Sequence, residues 1–206
     1  MRLPQLALSA LIAIGIFAGV LAGASVGMDR AAGLAGAISA DGLPTSESRP
    51  VPEFPTLAPS SWAGPPTSIA SLRSRVILLN VWTLGCVNCR RTLPWVASVH
   101  GRFGGKGLAV IGVHSPEFEY ENDLREVERA RTAHGLGYPS FLDSGLAYWR
   151  ALGNRYWPTI YLIDKAGTIR RVQIGEVHAG DDAAIALEQE IARLLAEPAP
   201  APTARP

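Results

Sequence analysis

Three residues separate the run Val76-Ile-Leu-Leu-Asn-Val-Trp82 from Cys86-Val-Asn-Cys89. An almost continuous apolar run rich in branched residues fits a strand covered on both faces, not a half-exposed one. Leu93, Val96, Val99 and Phe103 then recur at helical spacing, so the cysteines open a helix directly behind a buried strand. Two intervening residues in a first helical turn bring the sulfurs within bonding distance. The helix N-terminus offers unpaired N–H groups and positive potential, which stabilise a thiolate, and the thiolate is the form that attacks a disulfide. Arg90 and Arg91 add positive charge nearby. Cys86, at the exposed end, is the expected nucleophile; Cys89, one turn in, is the expected resolving thiol. A static disulfide between neighbours is the plainer alternative.

The rest of the pattern is that of an α/β sandwich. Leu108–His114 reads as a second buried strand, residues 121–134 as a charged helix, and residues 159–164 as a third strand. Lys165-Ala-Gly167 turns the chain into a fourth strand at 168–175, and an amphipathic helix over 182–196 carries Ile185, Leu187, Ile191, Leu194 and Leu195. The order β-α-β-α-β-β-α predicts a mixed sheet between helices. These elements bound a domain at 67–196.

Outside it the composition changes. Residues 3–28 contain no charged side chain, and 10–24 are apolar throughout, so residues 1–28 read as a signal peptide or a single signal anchor. Ala22-Gly23-Ala24 offers a cleavage site before Ser25. Arg2 and the amino terminus are positive, while Asp29 and Arg30 cancel, which puts the N-terminus inside and the remainder outside the cytoplasm. Residues 29–66 are rich in Gly, Ala, Ser and Pro and predict an extended linker, with Phe54, Leu57 and Trp62 as apolar points able to dock on the domain surface. Residues 197–206 predict a disordered tail. With 19 Lys+Arg against 18 Asp+Glu, the net charge of +1 gives no footprint for nucleic acid. Two cysteines and four scattered histidines supply no zinc set, so no metal and no cofactor beyond the Cys86–Cys89 disulfide are expected.

The segment from Val76 through Cys86-Val-Asn-Cys-Arg-Arg-Thr-Leu-Pro94, together with Val110-Ile-Gly-Val-His-Ser-Pro-Glu-Phe118, Tyr138-Pro139 and Gly153-Asn-Arg-Tyr-Trp-Pro158, resembles the thioredoxin-like domains of the TlpA/ResA group. It is most similar to the extracytoplasmic domain of DipZ-type proteins. The resemblance covers 67–196 and implies a thioredoxin-like three-layer sandwich and thiol–disulfide exchange outside the cytoplasm. By position it makes Cys86 and Cys89 the redox pair and Pro158 a cis-proline facing them, where a trans proline opening a strand is the alternative. Trp157, Val87 and Asn88 are then the candidate substrate contacts. DipZ-type chains also carry a multi-span electron-transfer domain; here a separate membrane protein is the expected electron donor or acceptor, and exported protein thiols or disulfides, including apocytochrome segments, are the expected substrates.

Two departures bear on proton handling. Asn80 stands six residues before Cys86, where thioredoxin has a buried Asp, and Gly85 replaces the Trp that commonly precedes the first cysteine. Glu117 is the candidate proton acceptor in their place, or else an exposed loop carboxylate. Two other functions fit some of the residues. Thr83-Leu-Gly-Cys86 matches the T-x-x-C part of a peroxiredoxin site, although Leu79 stands where that family has Pro. A non-enzymatic copper-binding or assembly module using the two thiols is the third reading; His114 ends a strand that can bring it near the site, with a merely hydrogen-bonded histidine as the plainer alternative.

Overall fold

The structure, a computed structural model, describes residues 48–201. The apolar segment 1–28, the linker as far as 47 and the last five residues lie outside the described residues. Among those described, no helix is long and apolar enough to cross a membrane.

The centre of the molecule is β3 (Val76–Trp82), all seven of whose residues are buried. It runs parallel to β4 (Leu108–His114), to which α1 (Val87–Phe103) connects it, and antiparallel to β6 (Thr159–Ile163). β6 turns through Lys165–Gly167 into β7 (Thr168–Ile174); Gly167 takes the positive φ of 82° that this turn needs. α2 (Leu124–Ala133) returns the chain to β5 (Ser140–Leu142), parallel to β4. The fold closes with α3 (Ala147–Ala151) before β6 and α4 (Asp182–Ala196) after β7. Two short strands, β1 (Arg49–Pro50) and β2 (Trp62–Ala63), complete a mixed seven-stranded sheet of order β1-β7-β6-β3-β4-β5-β2.

Strand alternation divides the core into two layers. Val76, Leu78 and Trp82 face α1 and α4, packing on Leu93, Val96, Leu187 and Ile191. Ile77, Leu79 and Val81 face the opposite layer, where Tyr148 and Leu152 at α3 meet Phe54, Trp62 and Ile69. The predicted elements over 76–114 and 159–196 are present, and the first helix begins two residues earlier than its apolar spacing suggests. The second helix starts at Leu124; residues 119–122 form a separate 3-10 turn.

The linker boundary at 66 requires correction: residues 49–66 belong to the fold. Arg49 pairs with Ile169 at one sheet edge and Trp62 with Phe141 at the other. The Phe54 ring lies 4.9 Å from Trp62 and stacks on Tyr148 at 4.5 Å. The Glu53 carboxylate accepts the N–H groups of Ile69 and Ala70 at 2.6 and 2.9 Å. Proline is compatible with short edge strands, where a missing N–H breaks no central ladder. Phe54 and Trp62 therefore dock inside the second layer, while Leu57 remains exposed.

Phe54→Ala should destabilise the domain by about 3–5 kcal/mol, as expected for emptying a buried aromatic site. Urea unfolding followed by tryptophan fluorescence checks this; a loss below ~1 kcal/mol would return the segment to the status of a linker.

Candidate active site

β3 delivers the chain to a three-residue loop, and Cys86 then caps α1. Its backbone is extended (φ −77°, ψ 110°), and its Sγ accepts the N–H of Cys89 at 3.0 Å. Placing a sulfur at this cap satisfies one of the orphan helix donors and sets it in the positive end of the helix dipole. Cys86 and Cys89 are joined in a disulfide, with S–S 2.32 Å and Cα–Cα 5.2 Å. Their surroundings differ. Cys89 is buried under the first turn, whereas Cys86 is half-exposed and is followed by the exposed Val87 and Asn88.

The ladder between β3 and β6 pairs Val81 with Thr159, so Pro158 comes opposite Trp82 at the same end of the sheet as the cysteines. The Trp157–Pro158 bond is cis. Trp157 is half-buried; its indole N–H donates to the Ser115 carbonyl at 3.0 Å, and its ring lies 4.2 Å from that of Trp149. Cys86, Cys89, Trp157 and Pro158 thus gather at one end of the sheet, with Val87 and Asn88 on the exposed first turn of α1.

Glu117 does not belong to the inner part of this group. Its side chain is exposed, and only its backbone N–H participates, donating to Glu121 Oε2 at 2.6 Å. Glu121 is the buried carboxylate of the site. It accepts the Thr83 hydroxyl at 2.6 Å, the Phe118 N–H at 3.1 Å and the N–H of Gly85, the residue before Cys86. Burial pushes its pKa up, but these donors outweigh the burial and hold it below the usual carboxylate range. Glu121 is therefore a fixed negative charge that ties the 117–121 segment to the loop carrying Cys86. The same contact explains Gly85. A Cβ there would stand 2.8 Å from Glu121 Oε1 and 3.1 Å from the Tyr120 hydroxyl, so a side chain at 85 would displace the carboxylate.

His114 ends β4 fully buried, edge-on to Trp82 with the rings 5.1 Å apart. Burial lowers its pKa to about 4, against the opposing pull of Glu121, so the ring is neutral at pH 7. Asn80 is also buried, on the inner face of β3. Among the described residues, no group of three or more His, Cys, Asp or Glu side chains is arranged to hold a metal ion.

A redox-competent pair at a helix N-terminus, beside a cis-proline on a mixed sheet, narrows the family. Residues 49–172 match the AhpC/TSA family model. The chain belongs to the AhpC/TSA family. It is 41% identical over 111 residues to protein DipZ of Mycobacterium tuberculosis, a match covering 54% of this chain and only 16% of that protein. It is 29% identical over 150 residues to the thiol-disulfide oxidoreductase YkuV of Bacillus subtilis, covering 72% of this chain and 96% of YkuV. Identity to the thiol-disulfide oxidoreductase ResA of Halalkalibacterium halodurans is 30% over 112 residues, covering 54% and 61% of the two chains. Among solved structures, a thioredoxin-like protein in its oxidised form superposes with a TM-score of 0.61 at 26% identity, covering 72% of this chain and 96% of that one. The thioredoxin-like fold and the likeness to the TlpA/ResA group are thereby established.

The His114 environment makes a prediction about acid. The fold favours the neutral ring, so its contribution is fully present above the unfolded pKa near 6.5 and is lost as pH falls through about 4. The difference is worth about 3 kcal/mol. Urea unfolding at pH 7, 5.5 and 4 should show this loss in the wild type and a smaller one in His114→Phe. Parallel pH profiles would remove His114 from the account.

Proposed function

We propose that the domain is a thiol–disulfide oxidoreductase that exchanges electrons between the Cys86–Cys89 pair and polypeptide substrates outside the cytoplasm. The observation that carries this reading is the asymmetric disulfide at the N-terminus of α1: one sulfur is at the surface and the other is buried beneath it. In the reductive direction, the Cys86 thiolate attacks a substrate disulfide, forms a Cys86–substrate mixed disulfide and expels the other substrate sulfur as a thiolate, which takes up a proton. Cys89 then loses its proton and attacks Cys86 Sγ. The mixed disulfide breaks, the second substrate thiol leaves, and the Cys86–Cys89 bond forms. Two electrons pass to the substrate. The oxidative direction is the same sequence reversed. The helix field favours Cys86 over Cys89 as the leaving and attacking sulfur.

The substrates in this proposal are exported proteins, including apocytochrome segments. Trp157, Val87 and Asn88 form the contact rim, along which an extended segment pairs beside Pro158. A separate membrane protein supplies or removes electrons, and residues 1–28 hold or export the domain. The likeness to the thiol-disulfide oxidoreductases YkuV and ResA supports the exchange chemistry; the match to DipZ spans about a sixth of that protein. Peroxide reduction fits less well. The Thr83 hydroxyl, the T of the T-x-x-C pattern, donates its proton to Glu121 and is not free to donate to a peroxide oxygen at Cys86.

Cys86→Ser should abolish the acceleration of insulin-disulfide reduction by dithiothreitol over the protein-free rate, whereas Cys89→Ser should accumulate a mixed disulfide detectable by non-reducing mass spectrometry. Accumulation of a mixed disulfide through Cys89 in Cys86→Ser instead would reverse the roles. Hydrogen-peroxide turnover faster than disulfide exchange would replace the reading with the peroxidase one.

The export reading is tested separately. Alkaline phosphatase fused after residue 47 should be active, since it requires an oxidising compartment, and a cytoplasmic reporter at the same position should be silent. The opposite pattern sinks the extracytoplasmic assignment without touching the exchange chemistry.

A further inference from the structure

The buried carboxylate of Asp143 lies outside the exchange chemistry, yet two contacts of Trp157, with Ser115 and Trp149, lead back to it. Asp143 follows β5 and is 2% exposed. Its Oδ1 accepts the N–H of Tyr148 at 3.0 Å, and its Oδ2 accepts the N–H of Trp149 at 2.8 Å. The Ser115 hydroxyl approaches the same Oδ2 at 3.4 Å, and the Asp143 N–H donates to the His114 carbonyl at 2.9 Å. One side chain therefore ties the start of α3 to the residues that follow β4.

Trp157 rests on both of those pieces. Its indole N–H donates to the Ser115 carbonyl, and its ring packs against Trp149 at a tilt of 34°. The first contact fixes one end of the indole and the second fixes its plane. A large aromatic ring held at two points loses little freedom when a polypeptide packs against it, and such pre-organisation raises affinity by lowering the ordering cost. Tyr148, whose N–H binds the other Asp143 oxygen, is anchored in turn by its hydroxyl, which donates to the Pro52 carbonyl at 2.9 Å, and by its stack on Phe54. Tyr148 thus links the Asp143 carboxylate to the core layer.

We propose that Asp143 is a positioning residue for polypeptide recognition: it holds Ser115 and Trp149 in the places from which they fix the Trp157 ring beside the redox pair. This rests on the reading of Trp157 as part of the substrate rim. Loss of the carboxylate loosens the ring and weakens polypeptide binding, while the sulfurs remain as reactive toward a small dithiol, which needs no rim.

The test uses the whole chain carrying Asp143→Asn, which keeps the shape and one amide oxygen but sets an NH2 group against backbone donors. Insulin is the polypeptide probe and dithiothreitol the small one. For Asp143→Asn the KM for insulin should rise about fivefold with kcat changed less than twofold, and the rate of reduction by dithiothreitol should stay within twofold. The near-ultraviolet circular dichroism from the Trp149–Trp157 pair should weaken. Trp149→Leu, which leaves the carboxylate in place, should give the same KM shift and serves if Asp143→Asn does not fold. Combined with Trp157→Phe, either variant should add little further to KM. An unchanged insulin KM in both variants, or equal losses with insulin and dithiothreitol, overturns the proposal while the exchange activity stands. A wild-type protein that exchanges with neither probe overturns the exchange reading itself.

Discussion

Burial of β3 on both faces is the constraint from which the rest follows. Its seven residues pair with β4 on one side and β6 on the other. Those two ladders fix three things at once: the cysteine loop leaves from Trp82, His114 sits beside Trp82, and Pro158 arrives opposite it. A slip of one residue in either ladder would turn Trp82 and Asn80 to the other core layer and carry the site apart, so register is specified by the same apolar contacts that stabilise the domain. Helix α1 then needs only its first turn to present Cys86 outward and Cys89 inward.

Glu121 shows how the loop between strand and helix is held. Loops carry backbone donors that a buried setting leaves unpaired, and each such donor costs about 1–3 kcal/mol. Here a single carboxylate collects donors from both sides of the gap, from Thr83 and Gly85 on one and Glu117 and Phe118 on the other. The glycine at 85 and the acid at 121 are two halves of one solution, because the carboxylate occupies the space a side chain at 85 would fill. A side chain before the first cysteine would have to displace the Glu121 carboxylate from the place where it accepts the loop donors.

What could be read from the residues follows this division. Long buried strands and the two amphipathic helices leave periodic patterns, and the cysteine spacing is tied to one of them, so the site's sulfur half was legible. Pro158 became legible through its place before a strand and through family resemblance. The Pro-rich segment 49–66 misled because its composition is that of a tether, while its fold depends on single anchors such as Phe54 and Trp62 docking into a layer built by distant residues. β5 and α3 have too few residues to show a period. Glu121 was hidden among the charges of a predicted helix, 121–134, where an exposed acid is the ordinary reading; Glu117 stood closer to the strand end and drew the assignment. The distinction between them is tertiary: the turn at 119–122 carries one carboxylate inward and leaves the other in solvent.

The reactivity of Cys86 is set by opposing fields that the fold holds at fixed positions. The N-terminus of α1 and the Cys89 N–H favour a thiolate at Cys86. Arg90 adds to this, since its guanidinium folds back to donate to the Leu84 carbonyl at 3.1 Å, beside the same loop. Glu121, ionised and bound to Gly85, opposes it from below. A thiolate stabilised by the first two makes the reduced pair more stable and the disulfide a stronger oxidant; the carboxylate pulls the other way. The helix terminus, the Arg90 guanidinium and one buried acid thus act on the Cys86–Cys89 pair with opposite signs, and the loop that Glu121 holds fixes the distance over which that acid acts.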